Sequence, residues 1–464
     1  MGGLGTALSP LRVAIVGSGP SGFYAAEALL QAPIVAEVDL LERLPVPYGL
    51  VRFGVAPDHP KLKSVTQVFE QVAGHERFRF FGNVALGRDV SAAELAAHYH
   101  AVIVATGASE DRKLGIPGER LAGVHAASDF VGWYNGHPDC SDLHFDLSQE
   151  VAVVVGQGNV AIDVCRILAK PIDELRATDI TEHALEALAA SRVRQIHLVG
   201  RRGPAQAKFT HKELRELCSL PGWRTVVEPE ALVLNDESRA ELAHPDQANG
   251  ARNLELLRRL EPAHAGAEKT LSLHFQRAPV ALRGDGRLQR LNLEVQRLAG
   301  PAFQQRAEPS GHCLEMAAGL LFRSVGYRGS ALPGLPFDER SGTLPHRDGR
   351  VLTGPQQALP GWYVTGWIKR GPTGIIGTNR ADSVETVARL LEDLPSLDAA
   401  KPGRAGLSSL LEGRPRPVIG FEAWRAIEAV ERQRGAARGK TAEKFVRIPD
   451  MLAAADGRLS GAAP

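Results

Sequence analysis

Closely spaced cysteines are absent from this chain of 464 residues. The four cysteines are Cys140, Cys165, Cys218 and Cys313, and the shortest separation between neighbours is 25 residues. A C-x-x-C redox pair or a zinc site needs cysteines about two to four residues apart. The sequence therefore excludes catalysis by a close dithiol, and it predicts reduced thiols and no metal site.

The chain also lacks a charge imbalance, a long apolar run and a basic leader. Lys and Arg total 54 against 53 for Asp and Glu, which excludes the basic excess of a general nucleic-acid binder. No apolar run approaches the roughly 18 residues of a membrane helix, and the first ten residues contain no basic segment. We therefore expect a cytoplasmic protein that binds neither nucleic acid nor a membrane.

What the chain does contain is enough apolar sequence for two or three globular domains. Hydrophobic residues make up 44% and charged residues 23%, proportions that are ordinary for a folded protein of this length. Residues 11–30 already follow the order strand, turn, helix. A strand followed directly by a helix is typical of the α/β class, which we predict here.

Two glycine-rich turns lie 139 residues apart, each directly after an apolar strand. Gly17 to Gly22 follows the strand at residues 12–16, and Gly156 to Ala161 follows the strand at residues 151–155. Glycine permits a tight strand-to-helix corner and lets the backbone approach a pyrophosphate, which the helix N-terminus then binds. One such turn is weak evidence, because a chain with 48 glycines also has ordinary glycine-rich loops. Two turns in the same context predict two dinucleotide sites.

The residues that follow the next strand differ in charge between the two sites. Glu42 ends the strand after the first turn, whereas Arg201 and Arg202 follow the strand after the second. A carboxylate accepts hydrogen bonds from ribose hydroxyls and repels a 2′-phosphate, which two arginines would instead bind. We predict an ADP moiety without 2′-phosphate at the first site and NADP(H) at the second. A solvated strand end for Glu42 and a surface cation for Arg202 are the alternatives.

Other elements follow from periodicity and turn residues. A loop from Leu44 to Pro60 has four prolines in 17 residues, which excludes regular structure and indicates a functional loop. We predict antiparallel strands at Leu271–Arg277 and Leu288–Leu298, and a return to the first domain at Leu320–Tyr327. After a linker from about residue 400, a helix from Phe421 to Gln433 precedes an end that we expect to be frayed.

Several long motifs resemble the adrenodoxin reductase family, and within it most closely the bacterial ferredoxin–NADP reductases of the FprA type. The resemblance spans roughly residues 10 to 395, in order. The motifs that carry it are residues 17–22, 46–59, 156–163, 200–203, 209–215 and 366–377.

The resemblance implies an α/β fold with two Rossmann-like dinucleotide-binding domains of the glutathione-reductase-like flavoprotein type, in which the FAD domain is discontinuous. It implies an FAD-binding part at residues 10–110, an NADP-binding domain at 111–326 and a second FAD-binding part at 327–464, with a C-terminal extension from about 400. It further implies an FAD-dependent ferredoxin–NADP(+) reductase that transfers hydride from NADPH to FAD and then single electrons to a ferredoxin-type iron–sulfur protein. A flavodoxin is the alternative carrier, and the oligomeric state is left undetermined.

The resemblance also assigns residues to each cofactor. The FAD set is Gly17, Gly19, Ser21, Gly22, Glu42, Leu50, Val84, Trp367, Gly374, Ile375 and Ile376. The NADP set is Arg112, Gln157, Gly158, Asn159, Val160, Arg201, Arg202, Glu213 and Gly374. The two residues expected at the reacting groups are His59 and Glu213, which we expect to adjust geometry and proton supply.

Alternatives remain at several of these positions and for the function. Trp367 is otherwise a core residue, His59 a hydrogen-bonded loop histidine and Asp163 a helix cap. The functional alternatives are an NADPH-dependent flavoprotein oxidoreductase or monooxygenase with an organic substrate, and a non-catalytic dinucleotide-binding subunit. The complete pair of binding motifs favours the free-standing reductase.

An acidic protein partner needs a local basic surface on a chain of balanced charge. The candidate cations, each with a solvated helix face as its alternative, are Lys212, Arg215, Arg252, Arg258 and Arg259.

Overall fold

The computed structural model describes residues 3–260, 268–397 and 400–458. They form two compact units. Unit 1 contains the chain up to Glu110, the segment Asn135–Ser141 and the chain from Tyr327 onward, and unit 2 contains Asp111–Tyr134 and Asp142–Gly326. No sequence pattern indicated that Asn135–Ser141 belongs with unit 1.

The described strands are listed here in chain order: β1 Leu11–Val16, β2 Ala36–Glu42, β3 Phe78–Gly82, β4 Ala101–Val104, β5 Glu110–Asp111, β6 Val124–Ala126, β7 Val151–Val155, β8 Gln195–Val199, β9 Arg224–Val227, β10 Thr270–His274, β11 Arg277–Arg283, β12 Arg290–Ala299, β13 Arg306–Ala317, β14 Leu320–Arg323, β15 Tyr327–Arg328, β16 His346–Arg347, β17 Arg350–Gly354 and β18 Gln357–Val364.

The described α-helices are α1 Pro20–Leu30, α2 Leu50–Phe53, α3 Pro60–Lys63, α4 Thr66–Ala73, α5 Ala92–His98, α6 Ala127–Asn135, α7 Asn159–Ala169, α8 Ile172–Arg176, α9 Glu182–Ala189, α10 His211–Cys218, α11 Asp236–Ala243, α12 Ala248–Arg258, α13 Trp367–Arg370, α14 Ile376–Glu392, α15 Arg404–Leu411, α16 Phe421–Ala436 and α17 Ile448–Ala455. Among the described residues, no helix is both long enough and apolar enough to cross a membrane.

Unit 1 is built on a seven-stranded sheet in the order β16-β17-β18-β4-β1-β2-β3. The strands from β18 to β3 are parallel, and β16 and β17 are added antiparallel at one edge. β1 is buried along almost its whole length, as expected for a parallel strand covered on both faces. Helix α1 packs against α14 on this sheet. The strands β1 and β18, which precede these helices, run in the same direction, so both helices begin at the carboxyl ends of the strands.

Unit 2 is built on a six-stranded parallel sheet in the order β6-β14-β7-β8-β10-β9, with a separate antiparallel sheet of β11, β12 and β13. These two sheets confirm the predicted α/β class with Rossmann-like halves. Two details of the prediction are wrong. The strand at Leu271 is β10, which pairs parallel with β8 and β9, and Leu320–Arg323 is β14, which pairs with β6 and β7 inside unit 2.

The C-terminal segment of unit 1 is folded into the core rather than frayed. Trp424, Ile427, Phe445 and Met451 belong to the same buried cluster as the residues of β1 and α1. Helix α17 packs against α16. The predicted frayed end is therefore wrong for the described part of this segment, because apolar residues spaced along both helices bury against the sheet.

Candidate dinucleotide sites

The first glycine turn in unit 1 requires glycine at two of its positions. Gly17 has φ +109°, and a Cβ on it would lie 2.5 Å from the carbonyl oxygen of Ala105. A Cβ on Gly22 would clash with the carbonyl oxygen of Gly17. Gly19 differs, because no atom other than those of its chain neighbours lies within 4 Å of where its Cβ would be. The turn is thus closed by two glycines and leaves open space at the third, directly before α1.

The carboxylate of Glu42 is fixed against this turn. Its Oε2 accepts hydrogen bonds from the Ser18 N–H at 3.1 Å and from the Ser18 hydroxyl at 2.6 Å. Its Oε1 accepts a hydrogen bond from the N–H of Leu44 at 3.0 Å. The next predicted contact, Val84, is buried and donates its N–H to the carbonyl of Glu42 at 2.8 Å. Glu42 is therefore an oriented residue of the turn and not a solvated strand end.

The proline-rich loop lies directly on the first turn. The N–H of Tyr48 donates to the carbonyl of Ser18 at 3.0 Å, and a Cβ on Gly49 would lie 3.1 Å from the Cα of Gly19. Leu50, which is 43% exposed, is the first residue of the short helix α2 inside this loop. The prediction that the loop contains no regular structure is wrong there, because the four residues of α2 include no proline. The loop thus brings the backbone of Tyr48 and Gly49 against the turn, directly before the exposed Leu50.

The segment from Gly366 to Ile376 reaches the same turn. A Cβ on Gly366 would clash with the Ser21 side chain, so the backbone of this segment lies directly against Ser21. The indole N–H of Trp367, which is half-buried, donates to the carbonyl of Thr373 at 3.2 Å. Gly374 and Ile375 are exposed where α14 begins at Ile376. A helix start carries N–H groups without helical acceptors and a partial positive charge.

A buried ion cluster that sequence reasoning missed supports this segment. The Oδ2 of Asp382 accepts hydrogen bonds from the Gly366 N–H at 2.5 Å, the Thr365 hydroxyl at 3.1 Å and the Arg370 guanidinium at 3.1 Å. Its Oδ1 pairs with the Lys369 ammonium at 2.8 Å. No spacing rule predicted this arrangement, since Asp382 lies on α14 and its partners on a separate turn.

His59 belongs to unit 1, at the end of the proline-rich loop. It is 8% exposed and directly precedes α3. Its N–H donates to the carbonyl of Ala56 at 3.0 Å. The position is that of an ordered loop histidine, and its expected role at the reacting groups stays a prediction.

The second glycine turn, in unit 2, repeats the geometry of the first. Gly156 has φ +151°, and a Cβ there would clash with the carbonyl of Ser324, whereas the space at Gly158 is open. Helix α7 begins at Asn159, directly after Gly158. The Oδ1 of Asn159 accepts the N–H of Thr210 at 2.9 Å, and Val160 in the first turn of α7 is half-buried.

The two arginines follow β8 beside this turn. The amide of Gln157 donates to the carbonyl of Arg202 at 3.2 Å, and a Cβ on Gly200 would clash with the Gln157 side chain. Arg201 is exposed and Arg202 half-buried. Burial, and next the neighbouring charge of Arg201, lower the pKa of Arg202 from its usual value. Two like charges held together this way favour an anion between them.

Glu213 is engaged in a buried ion triad. It is the third residue of α10 and 7% exposed, and its Oε2 accepts from the Arg166 guanidinium at 2.7 Å. Arg166 also donates to Asp163 at 2.6 Å, so Asp163 pairs along α7 instead of capping it. Arg166 was missed, although the spacing of Asp163 and Arg166 is that of an i, i+3 helical pair.

The last predicted residue, Arg112, is exposed at the start of unit 2. Its N–H donates to the carbonyl of Gly326 at 3.0 Å.

Each predicted FAD residue before residue 110 is at or next to the first turn, and the Gly366–Ile376 segment joins them. Gln157 to Val160 and the two arginines gather at the second turn.

Two sheets with parallel strands at their centres, each with a glycine turn at the start of a helix, define a protein of the pyridine nucleotide-dependent oxidoreductase class. Consistent with this, residues 11–201 match the family model described as pyridine nucleotide-disulphide oxidoreductase. The chain carries the fold of that class without a close cysteine pair.

Comparison with known proteins narrows the class to one family. The chain is 44% identical to the mitochondrial NADPH:adrenodoxin oxidoreductase of Salvelinus fontinalis, over 96% of this chain and 91% of that protein. It is 42% identical to the NADPH-ferredoxin reductase FprA of Mycobacterium tuberculosis, over 96% of this chain and 99% of that protein. The solved structure of M. tuberculosis FprA in complex with NADPH matches with a TM-score of 0.90, over 97% and 100% of the two chains. The chain belongs to this adrenodoxin and ferredoxin reductase family.

Proposed function

We propose that this protein is an FAD-dependent ferredoxin–NADP(+) reductase. Unit 1 would hold FAD and unit 2 would hold NADP(H). When bound, these two cofactors supply the redox chemistry, a two-electron exchange with the nicotinamide and one-electron exchange with the carrier. The residues of the chain recognise and orient these two cofactors.

The observation that carries the proposal is the contrast between the two turns. Both leave open space at the middle glycine, Gly19 or Gly158, so each fits a pyrophosphate, which a Cβ there would displace. Beyond that, Glu42 lies at the first turn, whereas Arg201 and Arg202 lie at the second. A carboxylate suits the adenosine ribose of FAD, and a pair of guanidinium groups suits the 2′-phosphate of NADP.

The remaining predicted residues fit these roles. Leu50, Val84 and Ser21 would line the FAD site, and the half-buried Trp367 would contact its ring system. The N–H groups at Gly374 to Ile376, where α14 begins, would stabilise negative charge on that ring. In unit 2, Gln157 to Val160 would bind the NADP pyrophosphate.

Three further residues complete the assignment. Arg112 is exposed and would contact the NADP phosphates. We propose that Glu213 acts on the NADP side while Arg166 holds its carboxylate in place. His59 would adjust geometry and proton supply and would not act as a nucleophile.

For the partner we propose an acidic ferredoxin that docks on basic side chains of unit 2. Helices α10 and α12 pack together, and Arg215 and Arg252 are exposed on them. Of the other three candidates, two are paired with carboxylates and the third is bound to a backbone carbonyl. Lys212 pairs with Glu216 at 3.8 Å, Arg259 pairs with Glu255, and Arg258 donates to the carbonyl of Leu232 at 3.5 Å.

The decisive experiment uses the purified protein as expressed. It should be yellow, with flavin absorption that NADPH bleaches in the absence of oxygen and that an added oxidised ferredoxin restores. A colourless protein that takes up no FAD would refute the proposal. Oxygen uptake that depends on an organic substrate would favour the monooxygenase alternative, and bound flavin without turnover would favour the non-catalytic subunit.

Docking is tested separately by ionic strength. Ferredoxin reduction should slow sharply between low salt and about 0.3 M salt, because screening weakens the attraction between the partners. Reduction of a small neutral quinone is the control and should barely change. Replacement of ferredoxin by flavodoxin shows whether the surface serves both carriers. An equal salt response for ferredoxin and quinone would refute docking by charge.

A further inference from the structure

The C-terminal segment from Phe421 to Ala455 has no part in the function proposed so far. Two Rossmann-like halves bind two dinucleotides without such an addition. In this chain the segment packs on the core of unit 1, and it also carries charged side chains that are almost completely buried. Buried charges are costly unless they are paired, so their partners indicate what the segment holds.

The main partner is Arg52, in the short helix α2, which lies within the proline-rich loop. Its guanidinium pairs with the Oε1 of Glu431 at 2.6 Å, and the two side chains are 8% and 2% exposed. The same Glu431 oxygen accepts the N–H of Phe445 at 2.8 Å. The guanidinium carbon also lies 5.0 Å from the ring centre of Trp424. Arg52 is thus held by a carboxylate and a ring, and the carboxylate is itself held by the backbone just before α17.

A second contact reinforces the first. The ammonium of Lys444 donates to the backbone carbonyl of Arg52 at 3.3 Å and to the Oδ1 of Asn135 at 3.4 Å. The C-terminal segment therefore holds both the side chain and the main chain of residue 52.

The residues just before Arg52 in the same loop contact the first glycine turn. Tyr48 donates its N–H to the carbonyl of Ser18, and Gly49 lies against the Cα of Gly19. Only Leu50 and Val51 separate these contacts from Arg52. A displacement at Arg52 would therefore reach, within one turn of helix, the open space at Gly19 that we assign to the pyrophosphate.

We infer that Arg52 and Glu431 are positioning residues through which the C-terminal segment keeps the loop closed on the FAD site. The inference rests on the proposed function, because it concerns the cofactor assigned to unit 1. It predicts that retention of FAD depends on an ion pair that does not touch FAD.

Stability alone is a poor explanation for this pair. Removing two charges from water is costly, and well-packed apolar side chains of similar volume often replace a buried ion pair without loss of stability. What an ion pair adds is a fixed direction, because the planar guanidinium binds a carboxylate in a defined geometry. A defined geometry is needed where the loop meets the cofactor.

The test compares Glu431→Gln with Asp393→Asn in the full-length holoprotein. Both changes turn a carboxylate that binds an arginine in unit 1 into an amide, and Asp393 pairs with Arg350 at 2.7 Å at the far end of α14. The rate of FAD release after dilution, followed by flavin fluorescence, and the thermal midpoint with excess FAD are measured for each. We expect FAD release to accelerate about tenfold or more in Glu431→Gln alone. The thermal midpoint should fall more in Glu431→Gln than in Asp393→Asn, because Glu431 is the more deeply buried carboxylate.

Equal rates of FAD release in the two variants would overturn the inference. So would wild-type FAD retention by the double variant Arg52→Met/Glu431→Leu, since packing would then suffice. If Glu431→Gln does not fold, Arg52→Lys keeps the charge while losing the planar fork, and it should still release FAD faster than Asp393→Asn. A wild-type protein that binds no FAD would instead refute the proposed function.

Discussion

Replacing Arg201 and Arg202 by glutamine should weaken the preference for NADPH over NADH while leaving the reaction intact. NADPH and NADH differ only in the 2′-phosphate, so a contact with that group affects one coenzyme and not the other. A charge-assisted hydrogen bond contributes about 1.5 to 3 kcal/mol when it is shielded from water. The effect of each arginine therefore depends on its exposure.

The two arginines differ in exposure, and so in the binding free energy that each is expected to contribute. Arg202 is half-buried and its backbone is held by Gln157 and Gln276, so we assign it about 2 kcal/mol. Arg201 is exposed, and solvent screening reduces its part to about 1 kcal/mol. Together they give about 3 kcal/mol, which corresponds to a roughly 150-fold loss of kcat/KM for NADPH. Arg202→Gln alone should account for most of it.

The assay is steady-state reduction of a neutral quinone with either coenzyme. For NADH, kcat/KM should change by less than about threefold, because the lost contact is one that NADH never makes. Arg194→Gln is the matched control, since Arg194 is an exposed arginine just before β8 and lies outside the site. Equal losses with NADPH and NADH would refute the reasoning, because the arginines would then act on something common to both.

Three further predictions concern the supports of the two sites. Asp382→Asn should lower the free energy of unfolding of unit 1 by about 3 kcal/mol in urea melts, whereas Glu385→Gln, at a half-exposed carboxylate, should have little effect. Burial lowers the pKa of His197 from 6.5 to about 4. Between these two pH values the unfolded chain is protonated at His197 and the folded chain is not. The free energy of unfolding should therefore fall by about 2 to 3 kcal/mol as pH drops from 7 to 4.5. His197→Asn should remove most of this pH dependence, whereas the exposed control His312→Asn should not change it. Gly19→Ala should fold normally but bind FAD at least about tenfold more weakly, and unchanged affinity would contradict the assigned cradle.

The glycine turns could be predicted from sequence because their sequence signal is local, although the atoms that require glycine there are distant along the chain. At Gly17 and Gly156 the backbone of another strand end excludes a Cβ, and the sequence signal for that is a glycine after an apolar strand. The pairing between strands could not be predicted from a local signal. β10 alternates buried and half-buried residues, a pattern typical of antiparallel strands, but its neighbours β8 and β9 are chosen by long-range packing.

The supports of the sites could not be predicted for a related reason. Arg52 and Glu431 are separated by 379 residues and Arg166 and Glu213 by 47, so no spacing rule connects them. Each of these side chains, taken alone, has the sequence signature of a solvated charge, since Arg and Glu are mostly exposed. Only the fold shows that each is buried with a partner.

The difference between the two sites does not reduce to the charge of one residue. Glu42 is an acceptor for both the N–H and the hydroxyl of Ser18, so the carboxylate completes its own glycine turn. At the second turn the same region is occupied by Gln157, which fits only because Gly200 has no side chain. A change of Glu42 to arginine would therefore leave the Ser18 N–H without its acceptor and would not create a 2′-phosphate site. Coenzyme choice in each unit depends on how the turn and the end of the next strand are hydrogen-bonded together.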